Sequence, residues 1–305
     1  MRHVAQLTPL SQKWSNQLKL LPLKHSLQIL FDLKLFKKNT TWNPSPITEE
    51  TGSKLSQDDE LKFAVVAHVF YPEFVNVFIE SVQYFPKGTD FYVSTPNPDI
   101  FLQLKTNSKL ENVDAIVRLT PNRGRNFGPL LVEFSKDLKK YDSFFHVHSK
   151  KSPHAKNNLG TVWSQRFFLL LLTKKGIRRI TGLAAQDKFI GLIYPDVSDL
   201  VRRINFRWGV NRAPLQKINK LKIHTSGRGQ IPFPAGGMFW VRTAAILPLL
   251  DIDWSYTMFP EEAGQVDGTL QHGIERVLGP MVIDYGYRHV VNVQRLDIFT
   301  YETNY

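Results

Sequence analysis

Two histidines, His146 and His148, and two lysines, Lys150 and Lys151, fall together in the stretch FHVHSKKSPH that runs from Phe145 to His154. Imidazoles exchange protons near neutral pH, and ammonium groups bind anions, so the expected guest is a phosphate-bearing substrate. In a strand, His146 and His148 would point to the same side. With a carboxylate from elsewhere, that spacing also suits a divalent ion such as zinc or manganese, although the adjacent lysines oppose a bound dication. A second basic element is Asn122-Arg123-Gly124-Arg125-Asn126. The planar fork of arginine suits bidentate phosphate contacts, and the glycine lets the backbone approach a ligand closely. Amides of a helix opening near Gly128 would add to that anion site, apart from Pro129, which has none to give. An acidic cluster, Glu261, Glu262 and Asp267, follows much later. Its two readings are a proton acceptor and caps for a helix beginning near Gly268.

These groups need a frame, and the hydrophobic pattern supplies one. KFAVVAHVF, from Lys62, is an unbroken apolar run of the kind a strand buried on both faces shows. Phe74, Phe78 and Val82 then recur at four-residue spacing, which predicts a helix. DFYVSTP, NVDAIVRLTP, YDSFFHVH, KFIGLIYPD and GGMFWVR are further expected strands, and helices are expected between several of them. Strands alternating with helices imply an α/β fold with a mostly parallel sheet. In such a sheet ligands bind beyond the carboxyl ends of the strands, which is where HVHSKK falls.

The chain has 305 residues, no cysteine and a formal charge of +12. The absence of cysteine removes disulfides and thiolate metal sites and agrees with a cytoplasmic location. The longest apolar block, FFLLLL, is far short of the ~18 residues of a membrane span. Residues 1–42 hold seven Lys or Arg against one acid, Asp32, a net of +6. We therefore expect residues 1–60 to form a basic helical appendage and linker, with Pro22 opening the helix, and residues 61–305 to form the main domain. The appendage is expected either to pack on that domain or to dock on an anionic membrane surface at the inner face of the plasma membrane.

NRGRNFGP (122–129), HSKKSPH (148–154), FPAGGMFWVR (233–242) and EAGQVDGTLQHGIERVLG (262–279) resemble, in this order, the motif set of the rhamnan synthesis F family. The resemblance runs from about Phe63 to about Tyr287 and leaves out the first 60 residues. It implies a GT-A-like single Rossmann-type domain and a glycosyltransferase of bacterial polysaccharide or lipopolysaccharide assembly. The donor would be dTDP-rhamnose or a UDP-hexose, and the acceptor a lipid-linked glycan. Two departures stand out. HVHSKK occupies the place where that fold usually carries an acidic metal-binding motif, and Asn126 stands where the family usually has Asp.

With those carboxylates missing, the resemblance implies a metal-independent enzyme without cofactor. Lys150, Lys151 and His148 would stabilise the leaving diphosphate in place of a cation. The metal alternative rests on His146 and His148. Arg123, Arg125 and Asn126 would bind the donor as well, and by analogy with the fold so would His68, Ser94 and Thr95 at the first two strand ends. Asp267, or else Glu262, would take the proton of the acceptor hydroxyl in an inverting transfer. Gly236 and Gly237 would let the acceptor touch the backbone, with Trp208 and Asn211 on an acceptor-side loop; Trp240 is expected in the core. Two rival functions remain at this point. One is a nucleic-acid-binding protein, which the basic charge permits, although no nucleic-acid motif is present and none is expected as a partner. The other is an inactive sugar-binding module of a glycan-assembly complex.

Overall fold

A computed structural model describes residues 61–149, 167–196, 207–218, 221, 231–265 and 267–292. They belong to the second of two units into which the chain divides, Gly52–Tyr305. The expected helix of residues 1–60 and the lysines Lys150 and Lys151 lie outside the described residues.

In chain order the elements are β1 (Phe63–His68), α1 (Glu73–Ser81), β2 (Asp90–Thr95), α2 (Pro98–Lys105), α3 (Ser108–Glu111), β3 (Ile116–Leu119), α4 (Phe127–Leu138) and β4 (Ser143–His148). They continue with α5 (Lys174–Gln186), β5 (Ile190–Pro195), α6 (Arg212–Gln216), β6 (Phe239–Arg242), α7 (Leu247–Leu250), α8 (Leu270–Asp284) and β7 (Arg288–Asn292). The strands form one sheet in the order β3-β2-β1-β4-β6-β5-β7. All neighbours are parallel except β6, which runs against both β4 and β5. The α/β class and the mostly parallel sheet therefore hold.

The local reasons are ordinary ones. Every residue of β1 is buried, as its continuous apolar run requires of a central strand. Helix α1 buries Phe74, Val75, Phe78 and Ile79, one stripe at helical spacing. Asn97 starts α2 by accepting the amides of Asp99 and Ile100, with Pro98 in the first turn. Strand β3 is half-exposed because it is the edge strand. Trp240 is fully buried in β6.

The order of strands decides where a ligand can sit. From β1 the chain steps outward to β2 and β3, then returns to place β4 on the other flank of β1. The strand order thus reverses between β1 and β4, and in open α/β sheets ligands bind beyond the carboxyl ends of the strands at such a point. His68, the last residue of β1, is in register with His148, the last of β4.

Candidate functional site

Three histidines stand at that switch point, and their environments separate them. His68 is buried, and its Nδ1 lies 3.0 Å from Ser94 Oγ at the neighbouring end of β2. Burial, and secondly the charge of His148, pull its pKa down to about 3. His146 is fully enclosed between the rings of Phe127 and Phe239, with centroids 5.5 and 5.0 Å away. Neither of its nitrogens has a partner in hydrogen-bonding geometry. Backbone of Gly237 and Asn126 lies near enough to favour its protonated form, but burial and then His148 dominate and hold its pKa well below the usual histidine value.

His148 is the partly exposed member. Its Nε2 lies 2.7 Å from Gly236 O and its Nδ1 2.9 Å from Ser149 O. A carbonyl oxygen only accepts, so a ring nitrogen that bonds here does so by donating. His146 and His148 do share a face, with ring centroids 6.3 Å apart. However, one ring is walled in by aromatics and the other has both nitrogens on carbonyls. Neither turns a lone pair toward a common metal position.

Ser149 fixes the corner, since its Oγ accepts the amides of Phe70 at 2.7 Å and Tyr71 at 3.0 Å just beyond β1. The PAGG turn closes over the end of β4. Gly236 and Gly237 have φ of 101° and 70°, values that favour glycine. A Cβ on Gly237 would stand 2.7 Å from Asn126 Nδ2 and 3.4 Å from His148 Nε2. The glycines thus allow the turn to approach the histidine and the Asn126 amide, which donates to Gly237 O at 3.4 Å. The Gly236 amide donates to Glu275 Oε1 at 2.7 Å, tying the turn to α8.

The two arginines of the NRGRN turn reach the acidic loop. Arg123 pairs with Glu261 in the backbone, as a single antiparallel bridge, and through its side chain. Arg125, with φ of 51°, donates from Nε to Glu262 Oε2 at 3.3 Å and from Nη2 to Gln265 O, and its Nη1 lies 3.1 Å from His272 Nε2. Gln271 donates to the other Glu262 oxygen at 3.1 Å. Gly124 and Gly128 permit this tight turn: an added Cβ on Gly128 would stand 2.1 Å from Arg123 O. The amide of Gly128, expected to face an anion, instead donates to Gly124 O at 2.8 Å. That part of the expected anion site is corrected.

Asp267 does not cap α8. The N-cap position belongs to Thr269, whose Oγ1 lies 2.7 Å from His272 Nδ1. The Asp267 carboxylate is about half exposed and sits 3.4 Å from Arg276 Nη2. Arg276 is nearly buried, lies over the Phe233 ring, and donates to Arg207 O and His272 O. Trp208 and Asn211 are enclosed as well. Asn211 Oδ1 accepts the Gly268 amide at 2.8 Å, so it holds the acidic loop in place. Ser94 and Thr95 are fully buried, and Thr95 Oγ1 accepts the Asn97 amide at 3.2 Å.

The sequence therefore missed Ser149, His272, Glu275 and Arg276. The last three recur at three- and four-residue spacing on α8, a periodicity that reads as a solvated helix face. The described residues define an α/β protein in which the NRGRN turn, the end of β4, the PAGG turn and the segment from Glu262 into α8 are linked by hydrogen bonds at the sheet's switch point. Residues 37–287 match the family model of Rhamnan synthesis protein F, and the chain belongs to that family. The match begins well before Phe63 and takes in part of the stretch expected to lie outside it.

The uncharacterized protein WxcX of Xanthomonas campestris pv. campestris strain B100 is 27% identical over 235 residues, 77% of this chain and 33% of that protein. WxcX of strain ATCC 33913 is also 27% identical over 235 residues. The chain thus spans about a third of the length of the curated relatives it matches. Among solved structures, CMP:2-keto-3-deoxy-manno-octonic acid synthetase complexed with CTP is similar with a TM-score of 0.33 and 11% identity, over 76% of this chain and 90% of that one. A likeness of that size says nothing about chemistry. Among the described residues no helix is long and apolar enough to cross a membrane.

Proposed function

We propose that the protein is a glycosyltransferase of bacterial surface-polysaccharide assembly that moves a sugar from a nucleotide-diphosphate donor to a lipid-linked glycan. One observation carries this reading. Residues of all four motifs that resemble a polysaccharide-synthesis family touch one another near the end of β4: His148 with Gly236, Asn126 with Gly237, Glu275 with Gly236, and Arg125 with Glu262. Rhamnose is taken from the family's name, and a hexose is the alternative donor sugar.

In this proposal the donor diphosphate lies against His148, Lys150 and Lys151. Asp267 takes the proton of the acceptor hydroxyl, and that oxygen bonds to the anomeric carbon as the bond to the diphosphate breaks. The electron pair leaves on the nucleoside diphosphate, whose growing charge the cations stabilise. Arg276 holds the Asp267 carboxylate in position, and Glu262, clamped by Arg125 and Gln271, is the second candidate base. Displacement from the far side inverts the anomeric configuration. Fixed cations replace a metal, so donor binding should persist in excess chelator. Arg123 and Arg125 already neutralise Glu261 and Glu262, so a bound phosphate must share or take over those contacts.

Titration of the full chain with dTDP-rhamnose and UDP-hexoses by calorimetry, with and without chelator, tests the reading. Binding of one donor in both conditions is expected. Binding that vanishes in chelator and returns with manganese would replace the metal-free mechanism.

A further inference from the structure

Helix α5 carries its charge at the end where a helix tolerates it least. Its sequence, KKGIRRITGLAAQ, has Lys174, Lys175, Arg178 and Arg179 in the first two turns and no acid anywhere. The amino end of a helix holds the positive pole of the macrodipole, so cations there oppose helix formation. The helix is held instead by Thr173, whose Oγ1 accepts the Gly176 amide at 3.2 Å, and by burial of Ile177, Ile180 and Ala184. All four cations are exposed, and among the described residues Lys174, Lys175 and Arg178 make no ion pair.

The rest of the outward face is flat. A Cβ on Gly182 would meet nothing within 4 Å, and Ala185 is exposed. At the far end Lys188 lies 5.6 Å from the ring centre of Phe189, which is 53% exposed. A short connection leads from α5 to the start of β5, which runs parallel to β4 through the antiparallel β6. Helix α5 therefore runs back along the sheet, and its basic end lies on the side where β1 and β4 finish.

We infer that this face of α5 docks the protein on an anionic lipid bilayer, with the cations against headgroups and Phe189 at the interface. Charge complementarity requires an anionic partner. A flat face ending in a Lys–aromatic pair fits a bilayer surface. A nucleic acid would instead call for aromatics interleaved among the cations, and the first two turns of α5 contain none. The inference stands on the charge and shape of α5 and does not depend on sugar transfer.

The test is co-sedimentation of the full chain with phosphatidylcholine vesicles containing phosphatidylglycerol, compared with phosphatidylcholine alone. The variant is K174Q/K175Q/R178Q; the control of equal charge is K62Q/K87Q/K105Q, with circular dichroism on both. An attraction of ~1 kcal/mol per cation near an anionic surface corresponds to a loss on the order of 100-fold for the three residues of α5. The expected result is that loss for the α5 variant, a much smaller one for the control, and weak binding of the wild type to neutral vesicles. Equal losses in variant and control would overturn the inference, because the attraction would then be diffuse. So would unaltered vesicle binding by the α5 variant, or tighter binding of the wild type to duplex DNA than to anionic vesicles.

Discussion

His146 is the least comfortable side chain of the described sheet, and replacing it with phenylalanine should reveal how much it costs. Its two ring nitrogens are buried without partners, a burden of ~1–3 kcal/mol by comparison with other unsatisfied groups. Phenylalanine would extend the aromatic stack of Phe127 and Phe239, at an overpacking cost of similar size. Near pH 7.5 the terms offset, and His146→Phe should unfold at nearly the same urea concentration as the wild type. Acid separates them. The folded pKa of His146 lies well below 6.5, through burial and then the charge of His148. Between the two values the unfolded chain holds a proton that the fold does not. The contribution is therefore complete above the unfolded pKa and is lost as pH falls below it, by ~1.4 kcal/mol per pH unit. His68 is depressed to about 3, and it adds the same slope to both proteins, so it cancels in the difference. At pH 5.5 the variant should be more stable than the wild type by ~1.4 kcal/mol, read from urea unfolding at both pH values. Parallel pH dependences would show that His146 is protonated in the fold and would refute the argument.

Gly237→Ala combines a left-handed φ with a Cβ 2.7 Å from Asn126 Nδ2. It should cost ~1–2 kcal/mol from backbone strain alone, measured by denaturant unfolding, and should weaken donor binding by shifting His148. Arg276→Met leaves the carboxylates of Glu275 and Asp267 without their shared cation; a loss of ~3 kcal/mol, the low end for a broken buried pair, is expected because Asp267 is half exposed. A midpoint equal to wild type would show that the pairs carry no weight. Lys150→Ala should weaken donor binding in calorimetry by ~1.5–3 kcal/mol, the worth of one charge-assisted contact, and unchanged affinity would remove it from the site.

The frame was readable because burial leaves a periodic trace. The run FAVVAH predicted β1, and the spacing of Phe74 and Phe78 predicted α1. Strand β7, RHVVN, escaped because Arg288, His289 and Asn292 break its apolar pattern. The order β4-β6-β5, with β6 reversed, depends on long-range pairing that no local signal carries. Within the site, residue types pointed to the strand-end cations and the acidic loop. They did not show that Arg125 and Glu262 hold each other, that Asn211 is a brace, or that Arg276 and Glu275 face inward on α8. Those roles follow from the packing of elements far apart in the chain, where charge balance under burial decides which side chain meets which.

Sugar transfer with Asp267 as the base makes a specific prediction for turnover. The most direct measurement is release of nucleoside diphosphate from dTDP-rhamnose and UDP-hexoses, in the presence of a bacterial lipid-linked glycan fraction, by the full chain and its Asp267→Asn variant. One donor should be consumed, and the variant should fold and bind that donor as the wild type does. Its release should be slower by ~10²–10⁴-fold, the usual worth of a general base. Turnover at the wild-type rate by the variant, or no binding of any nucleotide-diphosphate sugar by either protein, would contradict it.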